Sequence, residues 1–248
     1  MELHAQSQVS AVPSAEPPAD TLLSRLGAIV TDFGNVAFAS SLGAEDMVLT
    51  DAILTNGLPI AIFTLDTGRL PRETLDLLDR IRHRYAHEIE VYRPDAAEVA
   101  GYVAEFGLNA FYQSSDLRQR CCHIRKVKPL ARALAGRDAW VTGLRRAQGV
   151  TRADLPSREF DATHGLIKFN PLADWSEQQV WAYIHERKVP YNALHDRGYP
   201  SIGCEPCTRA IRPGEDIRAG RWWWESSDSK ECGIHVSPPG AASAERTS

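Results

Sequence analysis

Strand patterns and helix patterns alternate along most of this chain. Short apolar runs bounded by turn residues recur, and stretches of helical spacing follow them. Because parallel strands need long, usually helical crossovers, this order predicts an α/β fold: a parallel sheet with helices on both faces. Strands are predicted at 36–40, 59–65, 88–92 and 139–142, and helices at 44–56, 72–85, 99–106, 124–135 and 176–188.

The two ends of the chain differ in composition from the middle. Residues 1–20 are rich in Ala, Ser, Pro and Gln, and residues 237–248 repeat this bias. We predict a disordered leader at 1–20, one main domain at 21–225 and a mobile C-terminal segment at 226–248. The length of 248 residues, with 43% hydrophobic and 24% charged residues, is ordinary for one globular domain.

Bulk properties also exclude several classes of protein. The net charge of −4 argues against a general nucleic-acid binder. There is no run near the ~20 apolar residues of a membrane span, and no secretory signal. An odd cysteine count without export signals predicts a cytoplasmic protein whose thiols stay reduced.

Five cysteines form two pairs and one single residue. Cys121 and Cys122 are adjacent, and Cys204 and Cys207 form a C-x-x-C pair. Four such thiols are typical of a metal or iron–sulfur site. Adjacent side chains on a helix diverge by about 100°, which is awkward for one zinc ion, whereas an iron–sulfur cluster offers each sulfur its own iron. Structural zinc remains the alternative.

Cys232 stands apart from the two pairs. It lies between Lys230 and His235, in the sequence K-E-C-G-I-H. A neighbouring cation favours the thiolate form, so this setting is typical of a nucleophile. The sequence thus predicts a metal centre and a separate reactive thiol.

Three loops that follow predicted strands combine glycine with hydroxyl or cationic residues. Ligands bind at the carboxyl ends of parallel strands, and backbone N–H groups at helix N-termini bind anions. Together the loops favour a site for a nucleotide or sulfonucleotide. They span 40–46, 65–69 and 142–146.

At these residues the chain resembles the assimilatory adenylyl-sulfate (APS) reductases, the iron–sulfur-containing branch of the PAPS/APS reductase family. The resemblance implies the parallel-sheet, Rossmann-like adenine nucleotide α-hydrolase (PP-loop) fold with a C-terminal catalytic segment. The first loop departs from the S-G-G-x-D-S pattern of the related ATP pyrophosphatases, which puts ATP-driven adenylation in doubt. The matching segments are 40–46, 65–68, 121–130, 142–146, 204–207, 220–225 and 231–235.

The resemblance implies a reaction and a set of residues for it. APS would be reduced to sulfite and AMP by thioredoxin or glutaredoxin, through an S-sulfocysteine on Cys232, in sulfate assimilation and cysteine biosynthesis. A [4Fe–4S] cluster would be held by Cys121, Cys122, Cys204 and Cys207. The other implied catalytic residues are Lys126, Arg218, Arg221 and His235. The implied substrate-binding residues are Ser40, Ser41, Gly43, Leu65, Asp66, Thr67, Gly68, Gly143 and Arg145.

Other functions stay open at this point. A PAPS or dual-specificity reductase fits because no single residue reads the 3′ position of the nucleotide. An iron–sulfur tRNA-thiolating enzyme would want the missing loop pattern and a basic RNA-binding face. A zinc-stabilised binding module would leave Cys232 without a task. The sequence predicts no nucleic-acid or membrane partner and leaves open the oligomeric state, a homo-oligomer included.

Overall fold

A computed structural model describes residues 19–149 and 152–225. Its helices are α1 (Ala19–Asp32), α2 (Ala44–Thr55), α3 (Arg72–Tyr85), α4 (Ala96–Phe106), α5 (Ser115–Cys122), α6 (Lys128–Leu134) and α7 (Glu177–Arg187). Its strands are β1 (Val36–Ser40), β2 (Ile60–Leu65), β3 (Glu90–Tyr92), β4 (Ala139–Val141), β5 (Arg158–Asp161) and β6 (Leu166–Phe169). A π-helical segment, His123–Val127, joins α5 to α6. Across the described part of the chain, no helix combines the length and apolar character needed to cross a membrane.

The described strands form one sheet in the order β3-β2-β1-β4-β6-β5. All neighbours are parallel except β5, which is antiparallel to β6. The predicted α/β class with a parallel sheet is therefore confirmed. From β1 the chain moves outward through β2 and β3, then returns to place β4 on the other side of β1. This reversal of direction is the topological switch point at which α/β sheets bind ligands.

Helices cover both faces of the sheet, as predicted. Successive side chains of a strand point to opposite faces. Accordingly, Phe38 packs in one core with Leu26 of α1, whereas its neighbour Ala37 packs in another with Leu130 of α6 and Trp140. The sheet is thus anchored on both sides, and the loops at its edge are held in fixed positions.

Some elements were not predicted from the sequence. Helices α1 and α5 and the β5–β6 hairpin are additions, and the helix predicted at 124–135 is the end of a longer run that starts at Ser115. The hairpin carries charged residues where a buried strand would carry apolar ones. Lys168 is nonetheless buried, because its ammonium group pairs with Glu159 at 2.9 Å and lies over the Trp140 ring.

A buried carboxylate joins three helices. Asp51 of α2 is 2% exposed and accepts hydrogen bonds from the hydroxyls of Tyr85 in α3, at 2.8 Å, and Tyr183 in α7, at 2.9 Å. Burial, together with the carboxylate, raises the pKa of both tyrosines, so both remain protonated donors at neutral pH. The network thus links α2, α3 and α7 through one buried side chain.

Replacing Tyr183 by Phe should lower the free energy of unfolding by about 1–3 kcal/mol, because the buried Asp51 carboxylate loses a donor. Urea denaturation measures the loss. Tyr191→Phe is the control, since the Tyr191 hydroxyl donates to the exposed Asp196 at 3.1 Å; its expected effect is within about 0.5 kcal/mol. Equal losses in the two variants would show that the hydrogen bond to buried Asp51 contributes no more to the free energy of unfolding than an exposed one.

Candidate functional site

A cavity of about 200 Å³ opens where β1 and β4 end, at the switch point of the sheet. Backbone from two strand ends meets side chains from distant segments there. Polar loop residues form one part of its wall and cations form another. The lining includes Ser41, Gly43, Gly143, Lys126, Arg218 and Arg221, all of which the sequence singled out.

The loop after β1 is shaped by Asp46. The backbone N–H and the hydroxyl of Ser41 both donate to Asp46 Oδ2 at 2.6 Å. Burial raises the pKa of Asp46 to about 6, and the hydrogen bonds from Ser41 oppose that rise. At neutral pH the carboxylate is therefore ionised and holds the loop. The Ser40 side chain lies beneath, where its Oγ accepts from Leu42 N–H at 3.2 Å.

Gly143 is required by this packing. A Cβ built on Gly143 would stand 2.0 Å from Asp46 Oδ1, which is a severe clash. Only glycine lets the backbone after β4 approach the loop after β1 so closely. The two strand ends are thus joined through one buried carboxylate.

Arg145 lies behind the cavity loops. Its guanidinium donates to Glu45 Oε1 at 2.6 and 2.9 Å and to the Trp175 carbonyl at 3.1 Å, and the side chain is 1% exposed. In the structure Arg145 therefore links Glu45 to the backbone of Trp175. Its predicted contact with substrate stays a prediction. Gln148 and Arg152, which the sequence did not single out, line the cavity.

The loop after β2 faces the cysteines as well as the sheet edge. Leu65 ends the strand, and Asp66 accepts from Gly68 N–H at 2.9 Å. Thr67 Oγ1 lies 3.2 Å from Cys204 Sγ, and its carbonyl accepts from Arg125 at 2.7 Å. One of the three predicted substrate loops therefore touches the thiol-bearing segments.

The four paired cysteines come together. Cys207 is buried with Phe111 and Trp222, and the side chains of Cys121, Cys122 and Cys204 pack against that cluster. Cys121 and Cys122 end α5, and the π-helical segment follows at once; such segments are frequent at functional sites. Cysteines far apart in the sequence thus lie together, and we call these four residues the thiol cluster.

Cations surround the thiol cluster. Burial raises the pKa of Cys121, and the charge of Arg125 opposes that rise. Burial also raises the pKa of Cys207, to about 12, and the charges of Lys126 and Arg221 oppose this second rise. Arg118 hydrogen-bonds to Cys122. Thiolates formed on metal binding would be neutralised by these groups, so the cluster fits a soft, anionic metal group. Within residues 19–149 and 152–225, no three His, Cys, Asp or Glu side chains are arranged around a single-ion site.

Arg221 and Trp222 form the wall between cavity and thiol cluster. Trp222 has a φ of 40°, which costs a bulky residue about 1–3 kcal/mol. A Cβ on Gly203 would stand 2.3 Å from Arg221 Nη2, so Gly203 leaves room for the guanidinium. The strained turn thus lies where the structure brings cations to the cavity.

His195 is a further cavity residue that no sequence pattern marked. It follows Leu194 in a short helical turn and lines the cavity wall. Burial lowers its pKa, so the imidazole is neutral at neutral pH. The predicted catalytic residues Cys232 and His235 lie outside the described residues, and their roles stay predictions.

Solved structures with the same fold define the class of protein. A phosphoadenylyl-sulfate (PAPS) reductase from Candida auris, in a phosphate complex, matches with a TM-score of 0.64 and 28% identity over 82% of this chain and 100% of that one. An FMN adenylyltransferase from Candida glabrata matches with a TM-score of 0.54 at 12% identity, over 94% of this chain and 83% of that one, which shows the fold alone. The predicted Rossmann-like adenine nucleotide α-hydrolase fold is confirmed.

Sequence relatives narrow the class to a family. A phosphoadenosine phosphosulfate reductase domain matches residues 35–210. An adenosine 5′-phosphosulfate reductase of Burkholderia cepacia is 63% identical over 216 residues, 86% of each chain. Another, of Allochromatium vinosum, is 58% identical over 90% of this chain and 86% of its own. The chain belongs to the phosphoadenosine phosphosulfate reductase family.

Proposed function

We propose that this protein is an APS reductase that uses thioredoxin or glutaredoxin to reduce APS to sulfite and AMP, in assimilatory sulfate reduction. Its relatives in Burkholderia cepacia and Allochromatium vinosum carry that name at 63% and 58% identity. The observation that carries the proposal is the cavity at the switch point, where Lys126, Arg218 and Arg221 line one space with the loop after β1. Such a site suits a small nucleotide with two adjoining anionic groups.

The substrate would lie across the two halves of the sheet edge. Its phosphosulfate would take backbone N–H groups of the loop at Ser41 and Gly43, with the three cations around it. Its adenosine would contact the backbone of Leu65–Gly68 and Gly143. In this orientation the sulfur atom of APS would lie near Arg221. Cys232 follows Arg221 closely in the sequence.

Cys232 would act as the nucleophile. Its thiolate attacks the sulfur of APS, the bond from sulfur to the bridging oxygen breaks, and AMP leaves with that electron pair on its phosphate. Lys126, Arg218 and Arg221 would stabilise the negative charge that develops on both sides of the breaking bond. The product of this step is an S-sulfonate on Cys232. The external reductant has not yet taken part in the reaction.

The reductant completes the reaction. A thiolate of reduced thioredoxin or glutaredoxin attacks the sulfur of Cys232, and sulfite leaves with the electron pair of the S–S bond. A second thiol then resolves the mixed disulfide and returns Cys232 as a thiol. The two electrons come from the reductant's dithiol, which is a reason to place the reaction in the cytoplasm, where thiols stay reduced.

Cys121, Cys122, Cys204 and Cys207 would hold a [4Fe–4S] cluster. When bound, the cluster would supply a fixed negative charge beside the cation set rather than a covalent partner. Lys126 both lines the cavity and acts electrostatically on Cys207, so it would link that charge to the phosphosulfate. Arg118 and Arg125 would offset the charge on the other side of the thiol cluster.

A sulfite-release assay tests the proposal. The purified protein, loaded with iron and sulfide without oxygen, is given APS or PAPS with reduced thioredoxin, and glutaredoxin replaces thioredoxin in a parallel series. We expect APS to be turned over at least about tenfold faster than PAPS, a difference of about 1.4 kcal/mol in transition-state binding. Equal or faster turnover of PAPS would refute the substrate assignment. A colourless protein that releases no sulfite would instead support the zinc-binding module.

A further inference from the structure

Trp222 is held in its left-handed conformation by two arginines. Trp222 as a whole residue is 1% exposed. The guanidinium carbon of Arg221 lies 4.5 Å from the ring centroid, and that of Arg118 lies 4.6 Å from it. A bulky residue with a positive φ persists only where its surroundings enforce that conformation. The contacts of the indole ring therefore determine the geometry of this turn.

Arg118 anchors the turn to helix α5 through Glu225. Arg118 Nε donates to Glu225 Oε1 at 2.6 Å, and the two side chains are 1% and 6% exposed. Glu225 N–H donates to the Trp222 carbonyl at 2.9 Å, so the same residue closes the turn. A buried ion pair holds its partners in one geometry, because separating them leaves a charge uncompensated.

Arg221 takes its position from this turn. The described residues give its Nε no hydrogen-bond partner. Its guanidinium instead lies on the Trp222 ring and against the backbone of Gly203. Displacing the indole ring would therefore displace the cation that lines the cavity.

We propose that the Arg118–Glu225 ion pair positions Arg221 for the anionic groups of the substrate, acting through the Trp222 turn. Arg118 and Glu225 are positioning residues, and the inference rests on the proposed function because it requires an anionic adenine nucleotide in the cavity. The pair also ties α5, which ends in two of the four clustered cysteines, to the segment that leads to Cys232. One contact between residues 107 positions apart thus sets the wall shared by both sites.

Glu225→Ala tests the positioning role by equilibrium binding. Isothermal titration with APS, AMP and adenosine compares ligands that share the base and sugar but differ in charge. Every protein in the series is iron-loaded and carries Cys232→Ser, so that APS binds without transferring its sulfonate. We expect the affinity for APS and AMP to fall about tenfold while the affinity for adenosine stays unchanged. In an Arg221→Ala background the same substitution should have no further effect, because its target is already gone.

Glu215→Ala is the matched control. It breaks another Arg–Glu pair of the same segment, with Arg209 at 2.8 and 3.0 Å, but both side chains there are about one-third exposed. It should leave all three affinities unchanged. If Glu225→Ala does not fold or loses its iron, Glu225→Gln removes the charge at nearly constant volume and gives the same cycle.

Two results would overturn the inference. One is a loss of APS affinity that persists in the Arg221→Ala background; the other is a loss of adenosine affinity as large as that of APS. Failure of the proposed function gives a different result: the unmodified protein releases no sulfite from APS. The AMP and adenosine titrations still report on the ion pair in that case, because they need no turnover.

Discussion

Replacing Cys232 by Ser is expected to abolish sulfite release from APS, lowering the rate at least about 10³-fold, while the iron content stays unchanged. Serine keeps the size of the side chain but is a far weaker nucleophile at neutral pH. Arg218, Arg221 and Lys126 remain, so APS should still bind. The measurement is the rate of sulfite release together with the iron bound per chain.

Mass spectrometry distinguishes this role from an indirect one. Mixed with APS in the absence of reductant, the unmodified protein should gain about 80 Da, the mass of SO₃, on the peptide that contains Cys232. The Cys232→Ser variant should gain nothing. Ser229→Ala, three residues earlier in the same segment, should behave like the unmodified protein. An adduct on any other residue would remove Cys232 from the role of nucleophile.

The sequence predicted the elements that follow strong local rules. Strand β1 and helices α2 and α3 have the bounds that apolar spacing and cap residues indicated, within one residue. The loops after β1 and β4 combine glycine with hydroxyl or cationic residues, and the carboxyl ends of parallel strands meet at one edge of a sheet, so the sequence predicts that these loops share a site. Gly143 was marked for its turn, and the structure adds the physical reason, which is the approach of Asp46.

Other parts of the site depend on contacts that no local pattern encodes. Arg152 and His195 line the cavity from short helical turns that are too brief to show a periodic sequence pattern. Arg145 has the same charge and loop setting as a substrate ligand, yet Glu45, 100 residues away in the sequence, takes its guanidinium. The Arg118–Glu225 pair has no local signal either. Such contacts arise from the tertiary packing, which single-sequence patterns do not report.

Replacing Cys204 by Ser is expected to remove most of the bound iron and, with it, sulfite release. A serine hydroxyl is a poor ligand for iron where the site presents soft thiolates. The substitution should also disturb the loop after β2, because Thr67 Oγ1 contacts Cys204 Sγ at 3.2 Å and Glu205 N–H donates to the Arg69 carbonyl at 2.8 Å. The midpoint of thermal unfolding should fall as well, since a metal that binds the folded chain contributes to its stability.

The comparison with Cys232→Ser makes this prediction specific. Both variants exchange one thiol for a hydroxyl. Cys204 packs in the thiol cluster with Cys207, Cys121 and Cys122, whereas Cys232 is the proposed nucleophile. Iron analysis and the absorbance near about 400 nm should therefore fall in Cys204→Ser and stay constant in Cys232→Ser. A Cys204→Ser protein with full iron content would exclude Cys204 as a ligand. The unmodified protein should also be expressed with both iron and zinc supplied. If it then contains zinc instead of iron, the four thiols bind a structural zinc ion and not an iron–sulfur cluster.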